Sequence, residues 1–215
     1  MKNIKTLFFL ILSFTSLVSC SYEEEIGSKV TNYAVITLNS DEDGDNVTVI
    51  NKGDSYVEPG AIAIIDEQEV DVEISGDVVD PNKIGVYKVD YSSTNVDGFS
   101  RTVTRTVIVM SPTPSAIDLS GDWFRGANKN VITRISDRVY QCDNASGYTT
   151  GDPNNLKLTF YNLDDVKVYA PFQENASSTG ISAETSIGTI TASNKFNWVV
   201  YASSFYGTAV RSFVR

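Results

Sequence analysis

The chain has 215 residues, two cysteines, no histidine and a formal charge of −10 at pH 7. The lack of histidine removes Ser-His-Asp and Cys-His catalysis together with the commonest zinc ligand. An acidic chain has no basic footprint for a phosphate backbone, which excludes nucleic acid, and it repels anionic headgroups.

The chain opens with Lys2 and Lys5, then an apolar run over 7–12 and Phe14, closing on Leu17-Val18-Ser19-Cys20. A charged start, a short apolar stretch and small residues before a cut form a secretory signal. The stretch falls short of the roughly 20 residues a membrane-spanning helix needs. Leu-Val-Ser-Cys resembles the lipobox of bacterial lipoproteins, which implies that residues 1–19 are removed and Cys20 is lipidated. Each buried acyl methylene adds about 0.8 kcal/mol, so two or three chains anchor permanently. Residues 20–29 form an acidic tether, with Glu23-Glu24-Glu25 directly after Ser21-Tyr22. This is similar to the surface-export signal of Bacteroidetes lipoproteins and implies the outer face of the outer membrane; a merely solvated tether is the other reading. Contact with the membrane is expected through the lipid alone.

Residues 30–110 hold 15 acids and 5 bases. Short runs rich in Val, Ile, Thr and Tyr alternate with turn residues, which predicts a small β-sandwich. Val70–Ile74 reads as one strand, 86–91 as another with Tyr87, Val89 and Tyr91 on one face, and 101–109 as a β-branched closing strand. Pro59-Gly60 suits the centre of a type II turn, where glycine supplies the positive φ. Tyr56-Val57-Glu58-Pro59-Gly60-Ala61, then Gly85-Val86-Tyr87-Lys88-Val89-Asp90-Tyr91, then Arg105-Thr106-Val107-Ile108-Val109 occur in that order. Together they resemble the bacterial immunoglobulin-like domain shared by surface proteins and some pesticidal crystal proteins. The resemblance covers 35–109 and implies a fold and a surface location, with no catalytic residues.

Ser111-Pro112-Thr113-Pro114-Ser115 begins a linker over 111–117, since alternate prolines favour an extended, semi-rigid connection. Residues 118–215 hold 9 acids and 9 bases and eight strand candidates: 122–125, 131–136, 139–143, 156–161, 166–170, 188–192, 196–202 and 208–214. The fold class is therefore all-β: an immunoglobulin-like sandwich followed by a second antiparallel β domain, either barrel or sandwich. Leu119-Ser120-Gly121-Asp122-Trp123 and Ile135–Tyr140 resemble the C-terminal domain of Bacteroidetes lipoproteins of unknown function. Gly121-Asp122-Trp123 is also similar to the first strand of lipocalins, which implies an arginine of the last strand stacked on Trp123, with Arg211 in that part.

Few residues suggest chemistry. Asp41-Glu42-Asp43-Gly44-Asp45-Asn46 spaces carboxylates like a calcium loop, but Asn46 and Lys52 stand where an EF-hand needs glycine and glutamate, so an acidic turn is expected. Glu67, Glu69, Asp71 and Glu73 read as a solvated strand face that discourages edge pairing. Asp164-Asp165 is the one adjacent acidic pair of the second domain, and neighbours in a turn do not oppose each other across a cleft. Cys142 reads as a small buried hydrophobe. The chain thus offers no catalytic set, metal centre or cofactor motif. Aromatics crowd the second domain. Most read as core, while Tyr148, Tyr169, Phe205 and Tyr206 are the candidates for ligand contact. Phe196, Trp198 and Val200 share one face of the 196–202 run and Val199 and Tyr201 the other, which predicts a central, buried strand. The functional expectation is a non-catalytic surface adhesin or glycan-binding accessory protein. The alternatives are a structural component of an outer-membrane assembly that docks on a surface protein, and a small-ligand carrier with a lipocalin-like barrel.

Overall fold

The computed structural model describes residues 30–40, 44, 46–202 and 207–215. The signal over 1–19, Cys20, the tether over 20–29, the acids of the 41–45 stretch, Phe205 and Tyr206 lie outside the described residues. Residues 32–215 form one compact unit, and every regular element described in it is a strand.

The immunoglobulin-like part is a sandwich. Strands β1 (Val35–Leu38), β3 (Ala61–Ile65) and β4 (Gln68–Val70) form an antiparallel sheet. The second sheet runs β2 (Val47–Asn51), β7 (Ser100–Met110), β6 (Gly85–Thr94) and β5 (Glu73–Gly76), with β2 parallel to β7. Ile36, Leu38 and Ala63 from one sheet meet Val89 and Tyr91 from the other. Pro59-Gly60 turns as the sequence predicts, with Gly60 at φ 78.

The expected strand over 70–74 is instead two strands in different sheets, joined by Asp71-Val72. Val70 and Val72 both pack on the core, so the alternation runs through the crossing and hides it. Glu67 is likewise not on a strand face with Glu69. It shares a two-residue turn with Asp66, both at positive φ, which is the backbone of a tight type I′ hairpin.

The three sequence motifs of this part meet in one buried cluster. Arg105 is 1% exposed, and its Nε lies 3.3 Å from Glu58 Oε1. Its Nη2 donates to Asn39 O at 2.6 Å. Tyr91 donates to the same Glu58 carboxylate, and Tyr56 donates to Glu58 Oε2 at 2.6 Å. Burial, then the Glu58 carboxylate, holds the Tyr56 phenol far above its ordinary range. The Tyr91 hydroxyl meets a carboxylate because Glu58, 33 residues away, must neutralise a buried guanidinium. Tyr87 donates to backbone, at Lys83 O, 2.9 Å.

The second part is a closed, eight-stranded antiparallel barrel. Its strands follow one another in sequence: β8 (Gly121–Arg125), β9 (Asn128–Ser136), β10 (Val139–Cys142), β11 (Leu158–Asn162), β12 (Lys167–Tyr169), β14 (Gly188–Ala192), β15 (Lys195–Trp198) and β17 (Arg211–Val214), which closes on β8. A two-stranded sheet of β13 (Ala183–Thr185) and β16 (Val200–Ala202) stands outside that ring. The predicted strand over 196–202 therefore breaks at Val199, whose N–H and C=O bond Ser186 instead of a barrel neighbour. Phe196, Trp198 and Val200 are buried as expected, but Tyr201 faces solvent.

Rings fill the barrel. Trp123, Tyr140, Phe160, Phe196, Trp198 and Phe213 are all fully buried, with neighbouring centroids 4.8–6.4 Å apart. Edge-to-face and offset pairs of this kind each add about 0.5–1.5 kcal/mol beyond area burial. Both ends are stoppered by backbone that takes the indole donors. Trp123 Nε1 donates to Leu119 O at 2.7 Å, and Trp198 Nε1 to Ala145 O at 2.9 Å. An eight-stranded barrel has room for either side chains or one small ligand; here side chains occupy it.

Strand β7 is buried on both faces from Arg105 to Met110. One face serves the sandwich core. The other places Ile108 and Met110, with Val86 of β6, against Tyr161, Leu163 and Tyr169 of the barrel. The 111–117 segment is fastened rather than free. Asp165 accepts from Ser115 Oγ at 2.6 Å and Ala116 N at 3.0 Å, and from Asn162 Nδ2 at 2.8 Å. Its carboxylate also pairs with buried Arg138 at 3.1 Å, which donates to Thr113 O at 2.9 Å. Burial works to raise the Asp165 carboxyl, and these donors overcome it, holding the group below its ordinary value. Asp164 closes its own turn onto Lys167, 2.9 Å away. Of the acidic pair in the sequence, Asp165 is thus a clasp between linker and barrel, and Asp164 holds its turn.

Candidate functional site

The apolar contact between sandwich and barrel gives way to an open cleft. On the sandwich side, the β6–β7 face turns from Val86 and Ile108 to Lys88, Asp90, Thr102, Thr104 and Thr106. Side chains alternate along each strand, so this hydroxyl-rich stretch continues the packed face. Thr104 donates to Asp90 at 2.6 Å, and Ser92 and Thr102 hydroxyls meet at 2.8 Å.

From the barrel side Phe172 projects between two hollows, half of its surface exposed. The hollow over the threonines encloses about 590 Å³ and is completed by Asn46 and Glu184. The other, of about 770 Å³, is walled by Gln141, Asp152, Asn155, Gln173 and Asn175, with Gly44 and Asn46 of the sandwich at its rim. Both volumes lie in the range of small-molecule sites.

The walls are held rigidly. Gln173 spends its amide on Thr159, accepting from the backbone N–H at 2.8 Å and donating to the C=O at 2.9 Å. This fixes the chain on which Phe172 sits. Lys88 Nζ meets Glu184 Oε2 at 2.9 Å, and the Tyr169 hydroxyl donates to the same oxygen at 3.3 Å. Burial works to lower the Lys88 ammonium, but Tyr169 and Glu184 outweigh it and hold it above its ordinary value. Asn155 donates to Thr149 O, while its buried Oδ1 has no donor among the described residues. A buried acceptor left without a donor costs about 1–3 kcal/mol.

Of the expected ligand-contacting rings, Tyr148 is half exposed, in the loop that stoppers one barrel end. Tyr169 is 3% exposed and lies beneath the domain contact, so its ring packs rather than offering a binding face. Phe205 and Tyr206 lie outside the described residues. Phe172, flanked by Pro171 and Gln173, is the ring that sequence reasoning passed over.

The expected Trp123–Arg211 pair is also changed. Among the described residues, the guanidinium over the Trp123 ring belongs to Arg215, 4.8 Å from the centroid. The register Val214↔Phe124 sets Arg215 beside Trp123. Arg215 also donates to Ser120 O and Asp118 O, tying that end shut. Arg211 stands at the opposite end and donates to Ser146 O at 3.2 Å. Cys142 is fully buried, and burial pushes its thiol up to about 12.

Residues 37–109 match the family described as bacterial surface protein, Ig-like domain. No curated protein matches the chain. A solved structure similar to it is a lipoprotein of Bacteroides thetaiotaomicron, 24% identical, covering 84% of this chain and 97% of that one with a TM-score of 0.36.

Proposed function

We propose that this chain, which carries an immunoglobulin-like domain of bacterial surface type, is a lipid-anchored outer-membrane protein that captures a glycan without altering it. The observation that carries the reading is the half-exposed Phe172 ring standing between two hollows of mixed lining, in which amides, carboxylates and threonine hydroxyls lie beside apolar side chains such as Val47 and Val103. A pyranose offers an apolar C–H face and a belt of hydroxyls. An aromatic plane supports the first, and amides, carboxylates and threonine hydroxyls exchange hydrogen bonds with the second. The carboxylates of the cleft are engaged: Glu184 by Lys88 and Tyr169, and Asp90 by Thr104. They favour holding over hydrolysis, which needs two opposed carboxyls free to exchange protons. The lipobox at Cys20 and the acidic tether support anchorage and export. The domain contact supports a ligand site built from both parts at once.

The test is a glycan array probed with the intact chain lacking only residues 1–20. The reading predicts saturable binding to a subset of neutral glycans that Phe172→Ala weakens by about tenfold. Uniform absence of binding would overturn it.

A further inference from the structure

A second surface lies on the sandwich face away from the core. Tyr33, Val35 and Thr37 alternate outward along β1 and the two residues before it, with Ala34, Ile36 and Leu38 inward. Val35 stands opposite Ile64 and Thr37 opposite Ile62, and Phe99 packs edge-on against Tyr33 at 6.0 Å. Tyr33, Val35, Ile62, Ile64 and Phe99 are 43–59% exposed and form one continuous apolar stripe. Scattered exposed apolar residues are ordinary on a surface; a joined stripe marks an interaction site.

The stripe borders an open sheet edge. Strand β1 pairs only with β3 among the described residues. Asn39 N–H bonds Gly60 O, so by the two-residue alternation of antiparallel ladders Val35 and Thr37 turn their backbone groups toward β3. The N–H and C=O of Ile36 and Leu38 then face outward. Protected edges carry lysine, proline or a bulge; Val35-Ile36-Thr37-Leu38 has none of these.

The charges around the stripe choose the occupant. Glu69 stands across from Ile64, Glu67 caps the adjacent hairpin, and Asp97 lies in the turn that carries Phe99. Neither β1, β3 nor β4 contains a lysine or arginine. A second copy would bring two acidic rims together. We infer that β1 is a docking edge for an extended, lysine- or arginine-flanked apolar segment of another protein, which adds to the sheet as a further strand.

The test uses the intact chain and a fluorescent probe peptide with a central valine-isoleucine run flanked by lysines. Expected is saturable binding that weakens at least about tenfold when alternate backbone nitrogens of the probe are methylated, because edge pairing supplies the affinity. Ile64→Lys and Val35→Lys, both at exposed positions, should each weaken it comparably, and raising salt from about 50 to about 500 mM should weaken it further. Equal binding of the methylated probe, indifference to both substitutions, or no saturation would overturn the inference. So would a dimer in sedimentation that Ile64→Lys dissociates, since the occupant would then be a second copy.

Discussion

Replacing Asp165 with alanine tests whether the linker is a clasp or a spacer. The substitution deletes acceptors for Ser115 Oγ, Ala116 N and Asn162 Nδ2, and leaves Arg138, 3% exposed, without its carboxylate. Breaking a buried ion pair from one side costs about 3–5 kcal/mol. Asp165 keeps part of its surface in water, and Arg138 retains Thr113 O and Asn162 O, so the low end applies, about 3 kcal/mol. With a urea slope of about 2 kcal/mol/M, the midpoint should fall by about 1.5 M. Trp123 and Trp198 both lie in the barrel, so intrinsic fluorescence follows its unfolding. The pH dependence supplies a second reading. The folded carboxyl sits below its ordinary value of 3.8, so its contribution is complete well above that value and is lost as pH falls through the lower folded one. The gap between native chain and variant should hold near neutrality and close in strong acid. A midpoint shift under about 0.3 M at pH 7 would refute the clasp, as would a gap that persists after the carboxyl is protonated.

Other consequences follow from packing. Gly188→Ala would drive a Cβ into Asn197 O and against Trp198 Cβ and Val168 Cγ2; backbone cannot yield cheaply, so thermal unfolding should show a loss of at least about 2 kcal/mol. Glu58→Ala strands the buried Arg105 and should cost about 3 kcal/mol or more, read by urea unfolding, whereas Tyr56→Phe at the edge of the same cluster should cost about 1 kcal/mol. Cys142, with its thiol pushed up to about 12 and no surface exposed, should react with a thiol reagent at pH 8 only as fast as the barrel opens, and promptly in denaturant.

Much of the architecture was readable because period-2 alternation reports one-sided burial. Gly188–Ala192 and Val139–Cys142 emerge as strands very near where the sequence places them. Alternation fails where a chain changes neighbours without changing phase. Val70 and Val72 stay inward across a switch of sheets, and Val200 stays buried after the chain leaves the barrel at Val199. It fails again on Trp123, because Arg211 and Arg215 share one strand face and differ only in which barrel end they reach, about 13 Å apart. The cleft was illegible for another reason. Phe172 reads as one more core ring, and the groups opposite it, Thr104 and Asn46, lie far away in sequence and in the other domain. Only the packing of Ile108 and Met110 onto the barrel brings them together.

The central claim is that one site, shared by both domains and centred on Phe172, holds a glycan. Calorimetric titration of the intact chain and of Phe172→Ala with an array-selected glycan tests it most directly. Loss of a stacking ring should weaken binding by about tenfold or more, while the two proteins unfold at the same urea concentration because Phe172 is half exposed. Equal affinities for the two proteins would contradict the account.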